Sequence, residues 1–259
     1  MEYDHLLLRS KGFLITVSAV ASIVILFLLI PLAFLITIAG WEGIVETSAS
    51  KEALSSILLS FEAGVIAATL SVLFGIPLAY ILARLSFRGK GIISGLIDLP
   101  LVIPHTVAGI AILLAYNSRG PIGSLLGIGV EDSLLGVIAA MSFVSAPFAI
   151  NFAREGFEAI DVSLENVARS VGANAFKVFF TISIPLAMRS IIVGWLMALA
   201  RAISEVGAIM IVAYHPIVSS VLVYEWFTTR GLKAAAGLST LLLIFSLLVL
   251  IGLRALHRK

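Results

Sequence analysis

Residues 164–185 read LENVARSVGANAFKVFFTISIP, a stretch that separates two long apolar segments without being one itself. Its pattern predicts two short helices joined at a glycine. Asp161 or Ser163 can cap the first, since short polar side chains accept hydrogen bonds from free N-terminal amides. Leu164, Val167, Ala168 and Val171 follow at helical spacing and form one apolar stripe. Gly172 sits where a helix ends on a left-handed residue. Asn174 can cap the second helix, which carries Phe176, Phe179 and Phe180. Pro185 suits the first turn of a following membrane helix, where its missing N–H is harmless. A structured helix pair on the surface of an otherwise lipid-soluble chain needs something to dock against. The chain is therefore expected to work with a separate driving component.

The surrounding composition sets the class. The chain has 259 residues, 60% of them hydrophobic and 12% charged, with a mean hydropathy of +1.14. Soluble domains carry about 25% charged residues, so the deficit points to an all-α membrane protein. The net charge of +2 offers no general field for nucleic acid. Cysteine is absent, which removes disulfides and thiolate chemistry. His5, His215 and His257 stand alone near segment ends and suggest no metal site. We expect one membrane domain over residues 1–259, with the helix-pair loop at about 154–185.

Six apolar segments are expected to cross the membrane, at residues 13–39, 54–83, 91–116, 133–152, 186–213 and 234–253. Each is long enough to span roughly 30 Å of hydrocarbon. The first is too long for the apolar region of a signal peptide and is expected to remain as a span. One set of segment ends carries Arg9, Lys11, Arg84, Arg88, Lys90, Arg154, Arg169, Lys177, Arg189, Arg254, Arg258 and Lys259. The other carries Lys51, Arg119, Arg230 and Lys233. The positive-inside rule then places both termini and the helix-pair loop in the cytoplasm of a multi-pass plasma-membrane protein.

The helix-pair loop resembles the EAA coupling loop of ABC importer permeases. The resemblance rests on Gly172, nine residues, Ile182, one residue, Ile184 and Pro185. On that pattern the family glutamate falls at Asn166 and the two alanines at Val167 and Ala168, with Glu165 one place early. The resemblance implies that the loop, through Glu165, Asn166, Val167, Ala168, Arg169, Gly172, Phe176, Phe179, Ile182 and Pro185, seats in a groove of an ATPase subunit. An amphipathic helix lying on lipid headgroups would instead be rich in basic residues, and this stretch has only Arg169 and Lys177.

Two further blocks bear chemistry. The third segment reads GLIDLPLVIPHTVAGIAILLAY from Gly95. Pro100 and Pro104 each remove a backbone donor and disfavour helix at the preceding residue. Asp98, His105 and Thr106 lie around them. Non-helical backbone at membrane depth requires surrounding protein or a water-filled cavity, so this span is read either as pathway lining or as a kink satisfied by neighbouring helices. The fifth segment carries LARAISEVGAIMIVAYHP from Leu199. Arg201 and Glu205 are expected to share one helix face with Ser204 and Ala208. Buried charges pair and face the bundle interior, as a pathway face or as a structural ion pair.

These blocks, with PLAYILAR at residues 77–84, resemble the molybdate/tungstate permeases within that family. Val206 stands where those permeases carry phenylalanine. The resemblance implies a homodimeric pore, two ATPase copies that bind ATP and magnesium, and an extracytoplasmic oxyanion-binding protein. No catalytic residue and no resident cofactor is implied in this chain. It has no G-x-x-x-x-G-K-[ST] loop; its nearest piece, Gly89-Lys90-Gly91, lacks the spaced glycine and the hydroxyl residue. Three other readings compete. A sulfate/thiosulfate permease differs only in cargo. An ion-coupled secondary transporter would show broken helices in matching halves, whereas here only the third span reads as broken. A membrane enzyme would need clustered acid–base groups, and Asp98 with His105 is the nearest pair.

Overall fold

The computed structural model describes residues 11–257, which are helical with no strand among them. Arg9, Arg258, Lys259 and His5 lie outside the described residues, as do the side chains of Lys11, Arg254 and His257. The chain falls into two compact units, residues 55–222 and residues 1–54 with 223–259.

In the terminal unit, α1 (Lys11–Ala49) packs along α12 (Leu232–His257). The α1 helix is bent at Gly40, whose φ of 62° is open to glycine at no steric cost. Gly237 of α12 lies against Thr47 and Gly43 of α1, where a side chain would collide. Small residues let membrane helices approach closely. Arg230 bridges to Glu52 at 2.8 Å and covers the Trp226 ring.

The larger unit holds most of α2 (Lys51–Arg84), then α3 (Lys90–Val102), α4 (His105–Tyr116), α5 (Pro121–Leu126) and α6 (Leu134–Glu158). Next come α7 (Val162–Ser170), α8 (Ala175–Val178), α9 (Ile184–Ile203), α10 (Gly207–Val212) and the start of α11 (Ser219–Thr229). Among the described residues, five helices are long and apolar enough to cross a membrane. The bent pair α3 and α4–α5 makes a sixth crossing if it is one span.

The core of this unit interleaves alanines with larger apolar side chains. Ala63, Ala67, Ala108, Ala140, Ala208 and Met141 are sealed together, and α9 packs along α6 with Gly194 against Ala149 and Phe152. Small residues on α2 let neighbouring helices come close. Gly64 abuts Leu199 and Ile203, Gly75 abuts Ile150, Ser71 meets Ser145, and Ser60 donates to or accepts from Ser219 at 2.8 Å.

Three expectations need correction. The fifth span does not run unbroken over residues 186–213; α9 stops at Ile203 and the chain turns before α10 starts at Gly207. The third span is thus not the only broken one. At the other end, the second short helix is not separate from the membrane helix. Residues 175–203 are one continuous helical run of 29 residues, with a π segment at Phe179–Ser183. Pro185 falls within this run. Its ring and missing N–H disfavour a regular α turn just before it, and the widened π turn occupies that place.

Candidate functional site: a helix pair and two helix breaks

The helix pair is set by three local devices. The Asp161 carboxylate accepts from the Ser163 amide at 2.8 Å and starts α7. Gly172 ends it at φ 93°, with the Gly172 amide donating to the Arg169 carbonyl and the Ala173 amide to the Ala168 carbonyl, each at 3.0 Å. That pair of bonds is a Schellman motif. The Asn174 side chain then accepts from the Lys177 amide at 2.8 Å and opens α8.

The polarity of this pair is inside out. Leu164, Val167, Val171 and Phe176 face outward, Val171 at 82% and Phe176 at 79% exposure, while the Glu165 carboxylate is turned inward at 1%. Asn166 and Arg169 are exposed, Ala168 and Ile182 are half-buried, and Pro185 is exposed. Phe179 turns in against Tyr80, with ring centroids 4.8 Å apart. Glu165 is therefore no part of the outward face on which the sequence grouped it with Asn166 and Val167.

Inside, Glu165 is fully engaged. Its Oε1 accepts from Arg84 at 2.9 Å and from the Ser183 hydroxyl at 2.9 Å; its Oε2 accepts from the Tyr80 hydroxyl at 3.0 Å. Arg169 approaches at 3.9 Å, and Arg84 also reaches the Ile160 carbonyl. Burial pushes the Glu165 carboxyl upward, but the bonds from Arg84, Ser183 and Tyr80 and the Arg84 charge outweigh it. The net result is a carboxyl below its ordinary range. Tyr80, Arg84 and Ser183 escaped sequence reasoning. The available signal was the i, i+4 spacing of a tyrosine and an arginine at the end of span 2.

The second constellation lies where two spans break. After α3, Ile103 and Pro104 are extended, and the chain bends by 114° into α4. The α9–α10 break meets it. Gly207 lies against His105, and Gly109 lies against Ala208 and Ile211, with no room for a Cβ at either glycine.

Glu205 sits between the breaks at 1% exposure. Its Oε2 takes Arg201 Nη2 at 2.7 Å and lies 3.2 Å from His105 Nδ1. Its Oε1 accepts from the Ala208 amide at 2.8 Å, and its backbone carbonyl accepts from Ser220 at 2.6 Å. Arg201 Nη2 also lies 2.9 Å from His105 Nδ1, so that nitrogen either donates to Glu205 or accepts from Arg201, not both at once. Ser204 caps α9, donating to the Arg201 carbonyl at 2.9 Å and accepting from Arg201 Nη1 at 3.3 Å.

The Arg201–Glu205 contact thus forms across a helix terminus, not along one helix face as the spacing suggested. The cluster is open on one side: the His105 side chain is 48% and the Arg201 side chain 19% exposed. Thr106 and Pro104 are exposed beside it, and Pro100 is buried. Asp98 stands apart from His105 and accepts from Asn151 at 2.7 Å. Among the described residues no three His, Asp or Glu side chains converge in a metal-binding arrangement.

Residues 75–259 match the family described as binding-protein-dependent transport system inner membrane component. The chain belongs to that family. It is 43% identical to the molybdate/tungstate transport system permease protein WtpB of Pyrococcus abyssi, over 93% of this chain and 94% of the relative. It is 35% identical to the protein of the same name from Methanocaldococcus jannaschii, over 96% and 98%. A probable sulfate transport system permease protein of Zygnema circumcarinatum is 29% identical over 95% and 88%. Among solved structures, a bacterial ABC transporter involved in import of alginate shares the fold, with a TM-score of 0.73 over 98% of both chains and 17% identity. The helix pair and both helix breaks fall within the matched family region.

Proposed function

We propose that this chain is the membrane permease of an ATP-driven importer for molybdate or tungstate. Two copies form the pore, a separate ATPase subunit binds beneath each, and an extracytoplasmic binding protein delivers the oxyanion. ATP and magnesium belong to the ATPase. Both termini and the helix pair lie in the cytoplasm.

One observation carries the ATP-driven reading. The helix pair turns its carboxylate inward and presents Leu164, Val167, Val171 and Phe176 outward. A capped, rigid, apolar face projecting from the membrane domain is a docking surface, and its few basic residues argue against a headgroup-bound helix. The oxyanion reading is supported by the relatives named for molybdate and tungstate. The open side of the Arg201–His105–Glu205 cluster is the pathway face in this reading. Here a dianion passes an Arg201 guanidinium already neutralised by Glu205, so it is held weakly and released.

The sulfate reading keeps a place because relatives at 29–32% identity are named as sulfate permeases. Ion-coupled transport does not gain from the second helix break. Breaks in spans 3 and 5 are not in matching positions of two three-span halves, as an inverted repeat would have them.

The test is reconstitution with the ATPase and the binding protein, measuring ATP hydrolysis and uptake with molybdate, tungstate or sulfate. Stimulation by molybdate or tungstate is the expected result. Stimulation by sulfate alone would reassign the cargo. An ATPase that neither binds nor is stimulated would remove the ATP-driven reading.

A further inference from the structure

Motion imposed on the helix pair has two covalent routes into the membrane. It passes back through residues 159–161 to α6, and forward through the π segment to α9. Span 2 has no such connection. Its end reaches the pair through Arg84 and Tyr80, both bonded to the one carboxylate of Glu165. The same carboxylate holds Ser183, the last residue of the π segment.

We propose that Glu165 is a positioning residue for coupling: it carries the ATPase-driven displacement of the helix pair to span 2. The inference rests on the helix pair being the ATPase docking site.

The chemistry suits a strut. Three donors from two elements converge on one buried carboxylate, and charge-assisted bonds of this kind are short and directional. Aromatic packing surrounds it: the Tyr80 ring meets Phe157 and Phe179 edge-on, at 5.3 and 4.8 Å between centroids. The Glu165 side chain is sealed from solvent and that of Arg84 nearly so, which favours bonds that persist. The alternative ways to link span 2 are weak. Residues 85–89 leave its end toward α3 with local backbone bonds, Leu85 to Ile81 and Lys90 to Phe87, and the further bond from Arg84 to the Ile160 carbonyl is a longer 3.4 Å. Glu165 stands on the face of α7 opposite Val167 and Val171, so changing it leaves the outward apolar side chains in place.

This separates positioning from docking. In Glu165→Ala the ATPase should still co-purify with the permease, because the docking face is intact. Oxyanion moved per ATP hydrolysed should fall by about fivefold or more, the scale expected for losing charge-assisted bonds. Arg84→Ala, whose change lies on span 2 away from the docking face, should give the same fall. The double variant should be no worse than either single one. Glu165→Gln keeps an acceptor and should recover part of the ratio.

The assay uses the full complex of permease, ATPase and binding protein in liposomes, with molybdate as cargo. Wild-type transport per ATP in an assembled Glu165→Ala or Arg84→Ala complex would overturn the proposal. So would loss of ATPase binding in Glu165→Ala, which would make Glu165 a docking residue. If Glu165→Ala does not assemble, Arg84→Lys and Tyr80→Phe, which each remove part of the network, carry the same test: ratios equal to wild type would overturn it. A wild-type chain that does not bind the ATPase would overturn the docking reading itself, a result distinct from any of these.

Discussion

His105 and Glu205, a hundred positions apart in sequence, touch where two interrupted membrane spans meet. His105 Nδ1 lies 3.2 Å from Glu205 Oε2, with Arg201 on the same oxygen at 2.7 Å. Each break frees backbone groups that lipid cannot satisfy. The second break meets part of that need at its own residues: the Ala208 amide at the head of α10 finds the Glu205 carboxylate, and the Glu205 carbonyl accepts from Ser220 on α11. The contact makes the junction of spans 3 and 5 a single polar feature.

Removing either charge from this junction is expected to be worse than removing both. Glu205→Leu or Arg201→Met alone leaves an orphaned charge, at a cost on the order of 3–5 kcal/mol for a buried pair. The double variant should recover much of that loss. Assembly and uptake are scored separately. An assembled double variant that transports poorly supports a pathway role, whereas normal uptake would reduce the pair to a packing device.

The close approach of the two breaks depends on glycine. A Cβ at Gly109 would lie 2.8 Å from the Ala208 carbonyl oxygen and 3.0 Å from the Ala208 Cα, both backbone atoms that cannot swing aside. Gly109→Val should lower the melting temperature in detergent and reduce uptake; overpacking costs about 1–3 kcal/mol. Gly91→Val, at a glycine with open space around it, is the control and should cost far less. Equal melting temperatures for the two would contradict the close approach.

Gly172 poses the opposite problem. Space around it is open, but its φ of 93° is strained for a side chain. Gly172→Val should disturb the Schellman turn, misdirect Phe176 relative to Val167 and weaken ATPase capture in a pull-down. Gly172→Asn should do less harm, because asparagine tolerates left-handed backbone. Wild-type capture by the valine variant would mean that the turn does not orient the docking face.

Acid should loosen the helix pair. The Glu165 carboxyl is held below its ordinary range, which lies at about 4.3 for a free glutamate. Its stabilising contribution is therefore complete above that value and lost as pH falls through the lower, folded-state value. Thermal unfolding in detergent between about pH 5 and pH 3 should show a steeper loss for the wild type than for Glu165→Gln, which has no carboxylate to protonate. Parallel curves would place the acid sensitivity elsewhere.

Orientation can be read by labelling. The chain has no native cysteine, and Ser170 and Ser48 are both exposed. A thiol at Ser170→Cys should react only from the cytoplasmic side, and one at Ser48→Cys only from outside. The reverse pattern would invert the topology and remove the ATPase from the helix pair.

Features that depend on neighbouring residues were legible along the chain. Apolar length gave the spans, Asp161, Gly172 and Asn174 gave the caps and the turn of the helix pair, and Pro104 gave the break in span 3. Each is a local preference of backbone or side chain that acts wherever the segment lies. The tertiary structure decided where charged side chains point and what they meet. Glu165 reads as part of an outward amphipathic face until span 2 supplies Arg84 and Tyr80, because only a complete set of donors makes burial of a carboxylate tolerable. The break after Ile203 has no proline to announce it. The freed Ala208 amide is met locally by the Glu205 carboxylate, while partners across the fold hold Glu205 itself: Ser220 on α11 at its carbonyl and His105 on span 3 at its carboxylate. Helix periodicity placed Arg201 and Glu205 together; only packing turned that pair into the meeting point of two interrupted spans.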